Sequence, residues 1–504
     1  MAGFTNREYD AEITSVALPA LCGMLLDPVM GAINSALIGQ LGTHQLGAVS
    51  VGSLAVSFCT FMFSFLLFLT VPEIAAAVAK KDKARVSKVA AKALWVGLVV
   101  GSLTTAATVL GAETIIAYLA PPEPEVAVFA TQFIKVRAFG IAPTLLSFVA
   151  IGVFRGHRDT MTPLYASIGS AFTSLFLNAF FLYVLQWGVW GSALASTLAS
   201  LVSMAVLGGL LINKGMLRVP DLLKPPLLED VQPVIRAGMP LMFRNLISFG
   251  MVLYASLLCV RAGSVYQASF EVVRLLWILS IQFFECLNVA TQALCAGYLG
   301  DGEPARARAV MLRLAFVSAV IGGGVGLAIF AAQEPLVRCF TKDTAVVAQV
   351  LATLPMITFF LPLDAVASIM DGSLMAAKQT DYLSVIQIGG AGVQYFALIY
   401  LATNSLISAL SIWSCLKVLT LFRLGGGFWR NFLSPKSAYL LPVAAADAEQ
   451  LQQQQQQLAH AVALADSMDA DCGGEPLVML GLEPVAAAAA ADAPQGQAGM
   501  ARPE

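Results

Sequence analysis

Apolar residues run in long blocks, separated by short polar or charged stretches. The blocks fall at roughly 12–38, 46–79, 89–119, 126–154, 161–186 and 190–213, then near 231–260, 265–299, 309–333, 344–376, 382–401 and 404–424. A helix needs about 20 apolar residues to cross the hydrocarbon layer. The pattern therefore predicts an all-α membrane protein with twelve transmembrane helices in two groups of six. Blocks well above that length predict tilt or extension past the bilayer. The expected layout is a polar lead over 1–11, a first lobe over 12–213, a linker over 214–230, a second lobe over 231–430 and a tail over 431–504.

The two groups resemble each other. Pro19 and Gly42 bracket the first block with the same spacing as Pro240 and Gly263 bracket the seventh. Phe154-Arg155-Gly156 closes the fourth block, and Met370-Asp371-Gly372 lies in the tenth. Each is followed by a basic-x-Thr turn, Arg158-Asp159-Thr160 and Lys378-Gln379-Thr380. This predicts a two-fold internal repeat, and transporters bind substrate at such repeat interfaces.

Basic residues collect in alternate loops: Lys80 to Arg85 after the second block, Arg155 and Arg158 after the fourth, Lys214 to Lys224 after the sixth, Arg306 and Arg308 after the eighth. The positive-inside rule then places both termini in the cytoplasm. Plasma, vacuolar and plastid membranes all fit this reading.

Composition agrees. Of 504 residues 58% are hydrophobic and 12% charged, about half the charge of a soluble domain, and mean hydropathy is +0.78. A soluble globular enzyme is excluded. The Gln452–Gln457 and Ala486–Ala491 runs with scattered acids mark a tail expected to be disordered. The eight Cys form no CxxC; Cys22, Cys59, Cys259, Cys286, Cys295 and Cys415 lie in apolar stretches and read as buried free thiols, and His44, His157 and His460 are too scattered for a metal site. No phosphate loop or nucleotide cassette is present, and the basic residues form no nucleic-acid stripe, so no cofactor is expected. Gly97-x-x-x-Gly101 reads as helix packing.

Ionisable residues inside a span cost roughly 2.5–3.5 kcal/mol each and mark function by default. In the eighth block Glu271, Arg274 and Glu285 share one helical stripe, which must face a cavity or a partner helix. Glu271 with Arg274 also reads as a structural ion pair. In the tenth block Asp364 and Asp371 lie two turns apart on one face beside Pro362, an arrangement in which two desolvated carboxylates raise each other's pKa. Asp371 also reads as a helix-end cap before Gly372. Asp27 is either a cavity carboxylate or the partner of the Pro28 bend.

Several segments resemble the multidrug and toxic compound extrusion (MATE) transporters, in their DinF-like, plant-containing branch. Ile33-Asn34-Ser35-Ala36-Leu37-Ile38-Gly39-Gln40-Leu41-Gly42 looks like the family's first-helix signature. Arg137-Ala138-Phe139-Gly140 with Gly152-Val153-Phe154-Arg155-Gly156-His157-Arg158-Asp159-Thr160-Met161-Thr162-Pro163-Leu164 is similar to the fourth-to-fifth helix signature. Glu285 to Gln292 resembles the eighth-helix motif, where Asp usually stands at the Glu285 position, and Asp371-Gly372 the tenth-helix pair. The likeness covers about 12–430.

The resemblance implies two pseudo-symmetric lobes around a central cavity, and efflux coupled to inward H⁺ or Na⁺. Coupling in DinF-like members is credited to first-lobe carboxylates, but those positions hold Asn34 and Asn178 here. The ion-coupling residues expected are therefore Glu285 and Asp371, with Asp364, Glu271 and Asp27 beside them. Asn34, Asn178 and Gln292 offer cavity hydrogen bonds, and Arg244 and Arg274 attract an anion. Plant relatives' association with organic and phenolic acids points to an organic anion as substrate. The expected function is secondary-active export of small organic compounds by a monomer in the bilayer, as an H⁺ antiporter. An uncoupled facilitator, a Na⁺-coupled exporter, a lipid flippase, and a sensor or scaffold acting through its tail are the alternatives. Deleting the tail separates the last from the rest: an exporter retains its flux, whereas a scaffold loses its function.

Overall fold

The computed structural model describes residues 9–40, 43–119, 124–226, 228–341, 343–404 and 407–439. Twelve helices are long and apolar enough to cross a membrane: α1 (Asp10–Ile38), α2 (Gly47–Ala79), α3 (Lys83–Leu110), α4 (Pro124–Gly156), α5 (Met161–Val184), α6 (Gly188–Asn213), α7 (Gln232–Ala262), α8 (Val265–Gly300), α9 (Pro304–Ala331), α10 (Thr344–Ala376), α11 (Thr380–Thr403) and α12 (Ala409–Leu433). No strand occurs among the described residues. A helix is the form that satisfies every backbone polar group within one segment, which the bilayer interior demands. Several helices carry local defects. Pro19 and Pro28 interrupt α1, Pro355 and Pro362 interrupt α10, and five-residue π turns close α5 and α12. Each proline removes a backbone donor and invites a bend.

α1–α6 and α7–α12 form two pseudo-symmetric lobes, and the repeat reaches the backbone. Pro19 and Pro240 differ by 221 residues, as do Lys81 and Gly302. Lys81 and Gly302 both leave their helices in the left-handed region, at φ 54 and 77°. After α4 and α10, Arg158 and Lys378 do the same at φ 61 and 57°. Such a residue stops a helix and turns the chain back.

The same offset relates Gly101 on α3 to Gly322 on α9. A methyl on Gly101 would lie 2.7 Å from Ala142 Cα of α4, and one on Gly322 would lie 2.9 Å from Leu361 O and Pro362 Cα of α10. Close helix approach through small residues drives packing where lipid supplies no hydrophobic contrast.

Polar ties join the lobes at the end where α1 begins. Arg313 of α9 donates to both Asp10 oxygens at 2.8 Å. Tyr298 of α8 donates to Glu12 at 2.7 Å, and Arg158, which pairs with Glu12 inside the N-lobe, stacks 4.8 Å from the Tyr298 ring. Lys378 reaches Glu73 at 2.6 Å. An apolar cluster lies among them, with Ile13 and Val16 of α1, Ala75 of α2, Leu294 and Cys295 of α8, and Val310 of α9. Near mid-span Phe58 packs on Phe249 at 4.9 Å, and Asn245 donates to Ser64 at 3.2 Å.

The segment between the lobes is pinned under α3. Ser87 bonds Asp221 at 2.5 Å and the Arg218 N–H at 2.9 Å, and Trp95 donates to Leu222 O. Residues 431–439 belong to the packed body, because Tyr439 is fully buried and donates to Ser373 O at 2.7 Å. The C-lobe thus extends past the expected boundary at 430. Residues 440–504, including the Gln and Ala runs, and the lead residues 1–8 lie outside the described residues. Of the thiols expected to be buried, Cys259, Cys286 and Cys295 are, Cys59 and Cys415 are half-buried, and Cys22 is exposed. It lies on the side of α1 within electrostatic reach of Cys286 on α8.

The glycine contacts give a paired test. Gly101→Leu and Gly322→Leu should each destabilise the protein by about 1–3 kcal/mol, read as a lower unfolding midpoint in detergent. Gly323→Leu, where an added Cβ meets nothing within 4 Å, should leave that midpoint unchanged.

Candidate functional site

The C-lobe holds a cavity of about 230 Å³ between α7, α8, α10, α11 and α12, with Phe61 and Phe68 of α2 closing one side. Helical periodicity builds it. α7 contributes Arg244, Ser248 and Val252 at four-residue steps, and α11 contributes Gln387 and Gln394 two turns apart. α12 supplies Trp413, Lys417, Thr420 and Arg423, and α8 supplies Trp277, Glu285 and Asn288.

Two acid–base pairs link α10 to α12. Asp364 pairs with Lys417, and both are buried. Thr420 donates to Asp364 Oδ1 at 2.6 Å and Trp277 Nε1 to Oδ2 at 3.1 Å. The ring of Trp277 also lies 5.0 Å from Lys417 Nζ. Two turns further along, Arg423 donates to Asp371 Oδ2 from Nε at 2.9 Å and from a terminal nitrogen at 2.8 Å. Gln387 donates to the same oxygen at 2.9 Å. Asp371 Oδ1 is buried with no hydrogen-bond partner among the described residues.

Glu285 is held differently. Asn288 donates to its Oε2 at 3.1 Å, and the Ser368 hydroxyl lies 3.4 Å from Oε1. Arg423 and Arg244 lie within electrostatic reach of Glu285, and so does Arg155 of α4. Arg244 is buried in the cavity wall, and its guanidinium bonds the neighbouring Asn245 side chain at 3.1 and 3.3 Å. It forms no salt bridge among the described residues.

The structure thus gathers Glu285, Asp371 and Arg244 on one cavity and sets Asp364 just behind its wall. Each α10 aspartate meets a cation from α12, not the other carboxylate, because the two project at different heights toward Lys417 and Arg423. Glu271 and Arg274 bind each other at 2.6 Å and do not line the cavity. They share a stripe with Glu285, but fourteen residues separate Glu271 from it, about 21 Å along the axis. Gln292 is buried and donates to Asn288 Oδ1 at 3.0 Å, supporting a cavity residue from behind. Asn34 and Asn178 face each other in the N-lobe, Nδ2 to Oδ1 3.4 Å. The side chain of Asp27 lies outside the described residues.

The sequence reading missed Lys417, Arg423, Trp277, Trp413 and Gln387. The two cations carried a usable signal, since the cost of charge within a span applies to bases as well as acids. No three His, Cys, Asp or Glu side chains converge as metal ligands among the described residues.

The MatE family profile matches this chain twice, over residues 19–180 and 240–401. The chain belongs to the MATE family. The two matched segments are related by the same 221-residue offset as Pro19 and Pro240. Among curated relatives, Protein DETOXIFICATION 44, chloroplastic, of Arabidopsis thaliana is 26% identical over 83% of this chain and 81% of its own. Protein DETOXIFICATION 43 of the same plant is 25% identical over 86% and 94%. A solved structure described as MATE in complex with MaL6 superposes with a TM-score of 0.75 at 18% identity, covering 83% of this chain and 94% of that one. This MATE protein is a multi-pass membrane protein of a multidrug and toxin efflux family, in the plant-type branch.

The buried Asp364–Lys417 pair generates a stability test. Lys417→Met leaves a desolvated carboxylate without its cation and should cost about 3–5 kcal/mol. Asp364→Asn with Lys417→Met should recover most of that loss in the same unfolding assay.

Proposed function

We propose that this MATE protein is a secondary-active exporter of small organic compounds that works by alternating access, with a proton exchanged at Glu285 of the C-lobe cavity. The observation that carries the reading is the setting of Glu285. Its partner Ser368 is a hydroxyl, which can donate to a carboxylate or accept from a carboxylic acid. Glu285 can therefore exchange a proton without losing that contact. The arginines around it favour the charged form, and its place in a membrane helix favours the neutral one. Such opposed influences suit a group that cycles between both.

Organic anions are the substrate class favoured by the charge of the lining. Lys417 and Arg423 are paired with Asp364 and Asp371, which leaves Arg244 as the cation of the lining that a ligand can engage. Among the described residues Arg244 forms no salt bridge, although Asp371 and Glu285 lie within its electrostatic reach, and it is placed to receive a carboxylate from a ligand. The sign of coupling needs one further contact. Protonating Glu285 makes the lining more positive, which by charge alone tightens its hold on an anion. Antiport requires the proton and the substrate to compete. A hydroxylated anion, such as a phenolic acid, can meet both demands. Its carboxylate sits on Arg244, its hydroxyl donates to ionised Glu285, and the proton removes that acceptor.

A facilitator without ion coupling is the second reading. It is favoured by the Asn34–Asn178 pair, which holds no titratable group in the N-lobe. The name of one relative, chloroplastic, supports a plastid envelope as the membrane. The positive-inside pattern supports cytoplasmic termini, and a cavity built within one chain supports a functional monomer.

Substrate-driven pH change inside proteoliposomes tests the proposal, with citrate, salicylate and a cationic dye supplied in turn. The expected result is proton movement with an anion that disappears in Glu285→Gln. Arg244→Gln should raise KM for that anion by about 10- to 100-fold, the equivalent of one charged hydrogen bond. Substrate flux without proton movement would overturn the coupled reading in favour of the facilitator.

A further inference from the structure

The acidic pair of the cavity also bears on which ion it can serve. We infer that the Arg423 guanidinium is a tethered cation, standing where a coupling metal ion would bind between Asp371 and Glu285, so that this cavity is closed to Na⁺. The inference rests on the C-lobe reading above and adds the ion selectivity of that site.

Hard cations are held by several oxygen ligands at once. The groups around these two carboxylates are mostly nitrogen donors. Asp371 Oδ2 already accepts from two Arg423 nitrogens at 2.8 and 2.9 Å and from Gln387 at 2.9 Å. Glu285 Oε2 accepts from the Asn288 amide at 3.1 Å, while Asn288 Oδ1 is taken by Gln292. Among the described residues the lining oxygens that are buried without a donor are Asp371 Oδ1 and Gln394 Oε1, while both Glu285 oxygens accept a hydrogen bond, so a dehydrated ion would have to take oxygens already committed.

Charge points the same way. Glu285 lies within electrostatic reach of Arg155 of α4, Arg244 of α7 and Arg423 of α12, with Asp371 the neighbouring acid. Lys417 adds a further cation to the wall and spends its charge on Asp364. A metal ion entering this site would face three guanidinium groups and would have to displace one of them. A proton need only reach a Glu285 oxygen. Arg423 is thus a specificity-determining residue: it satisfies Asp371 permanently and leaves Glu285 as the exchanging group.

Arg423→Met should open the site. It leaves both Asp371 oxygens without a cation in a low-dielectric wall, which a bound metal ion would then neutralise. The test is thermal unfolding of the purified full-length protein, with NaCl titrated against choline chloride at constant ionic strength and KCl as a second control. The wild-type midpoint should be the same in all three salts. The Arg423→Met midpoint should rise by about 2–4 °C with Na⁺, and Asp371→Asn with Arg423→Met should abolish that rise. Should Arg423→Met fail to fold, Arg423→Gln, which retains one donor for Asp371, takes its place. Na⁺-specific stabilisation of the wild type, or a folded Arg423 variant indifferent to Na⁺, would overturn the inference. The assay measures ion binding and needs no transport, so its failure is distinct from failure of the exporter reading.

Discussion

The C-lobe depends on two acid–base pairs that tie α10 to α12, Asp364 with Lys417 and Asp371 with Arg423. A charge in the apolar layer is tolerated when a partner and hydrogen bonds replace the water it loses. Here the partners come from a helix some fifty residues away. The pairs fix the register of α12 against α10, and that register aims Trp413, Thr420 and Arg423 into the space bounded by α7 and α8. Both pairs lie in or against the cavity wall.

Inside that frame the three carboxylates hold different stations. Asp364 is enclosed by Lys417, Thr420 and Trp277 and serves the scaffold. Asp371 has one oxygen committed and one left open. Among the described residues, Glu285 is hydrogen-bonded by neutral groups, Asn288 and Ser368. A charged partner holds an acid in one state, and neutral partners leave it free to change state. In the proposed exchange at Glu285, the division between scaffold and exchanging acid would follow from who touches each carboxylate.

The repeat gives the two lobes one backbone and different chemistry. Matching left-handed turns and the glycine contacts of α3 and α9 recur at equivalent places. The site does not recur. Arg155 stands where the second repeat has Asp371, and the N-lobe presents Asn34 against Asn178. Backbone packing constrains only size and φ, so it survives divergence that side-chain function does not.

The sequence by itself determined the twelve helices, their grouping and the repeat. Those follow from local rules, namely the length needed to cross a bilayer and the residues that start, break or tightly pack a helix. It also drew attention to Glu285 and Asp371, because charge within an apolar span is conspicuous without any knowledge of partners. Only the tertiary structure decided what each charge faces. Glu271 and Arg274 share a stripe with Glu285 yet pair with each other at another depth, and Asp364 and Asp371 share a face yet answer to separate cations. The end of the C-lobe was likewise fixed by packing, through the burial of Tyr439. Periodicity along one helix gives direction around its axis. The partner, the depth at which two helices meet and the enclosure of a cavity come from helices distant in sequence, and they are settled only when those helices pack.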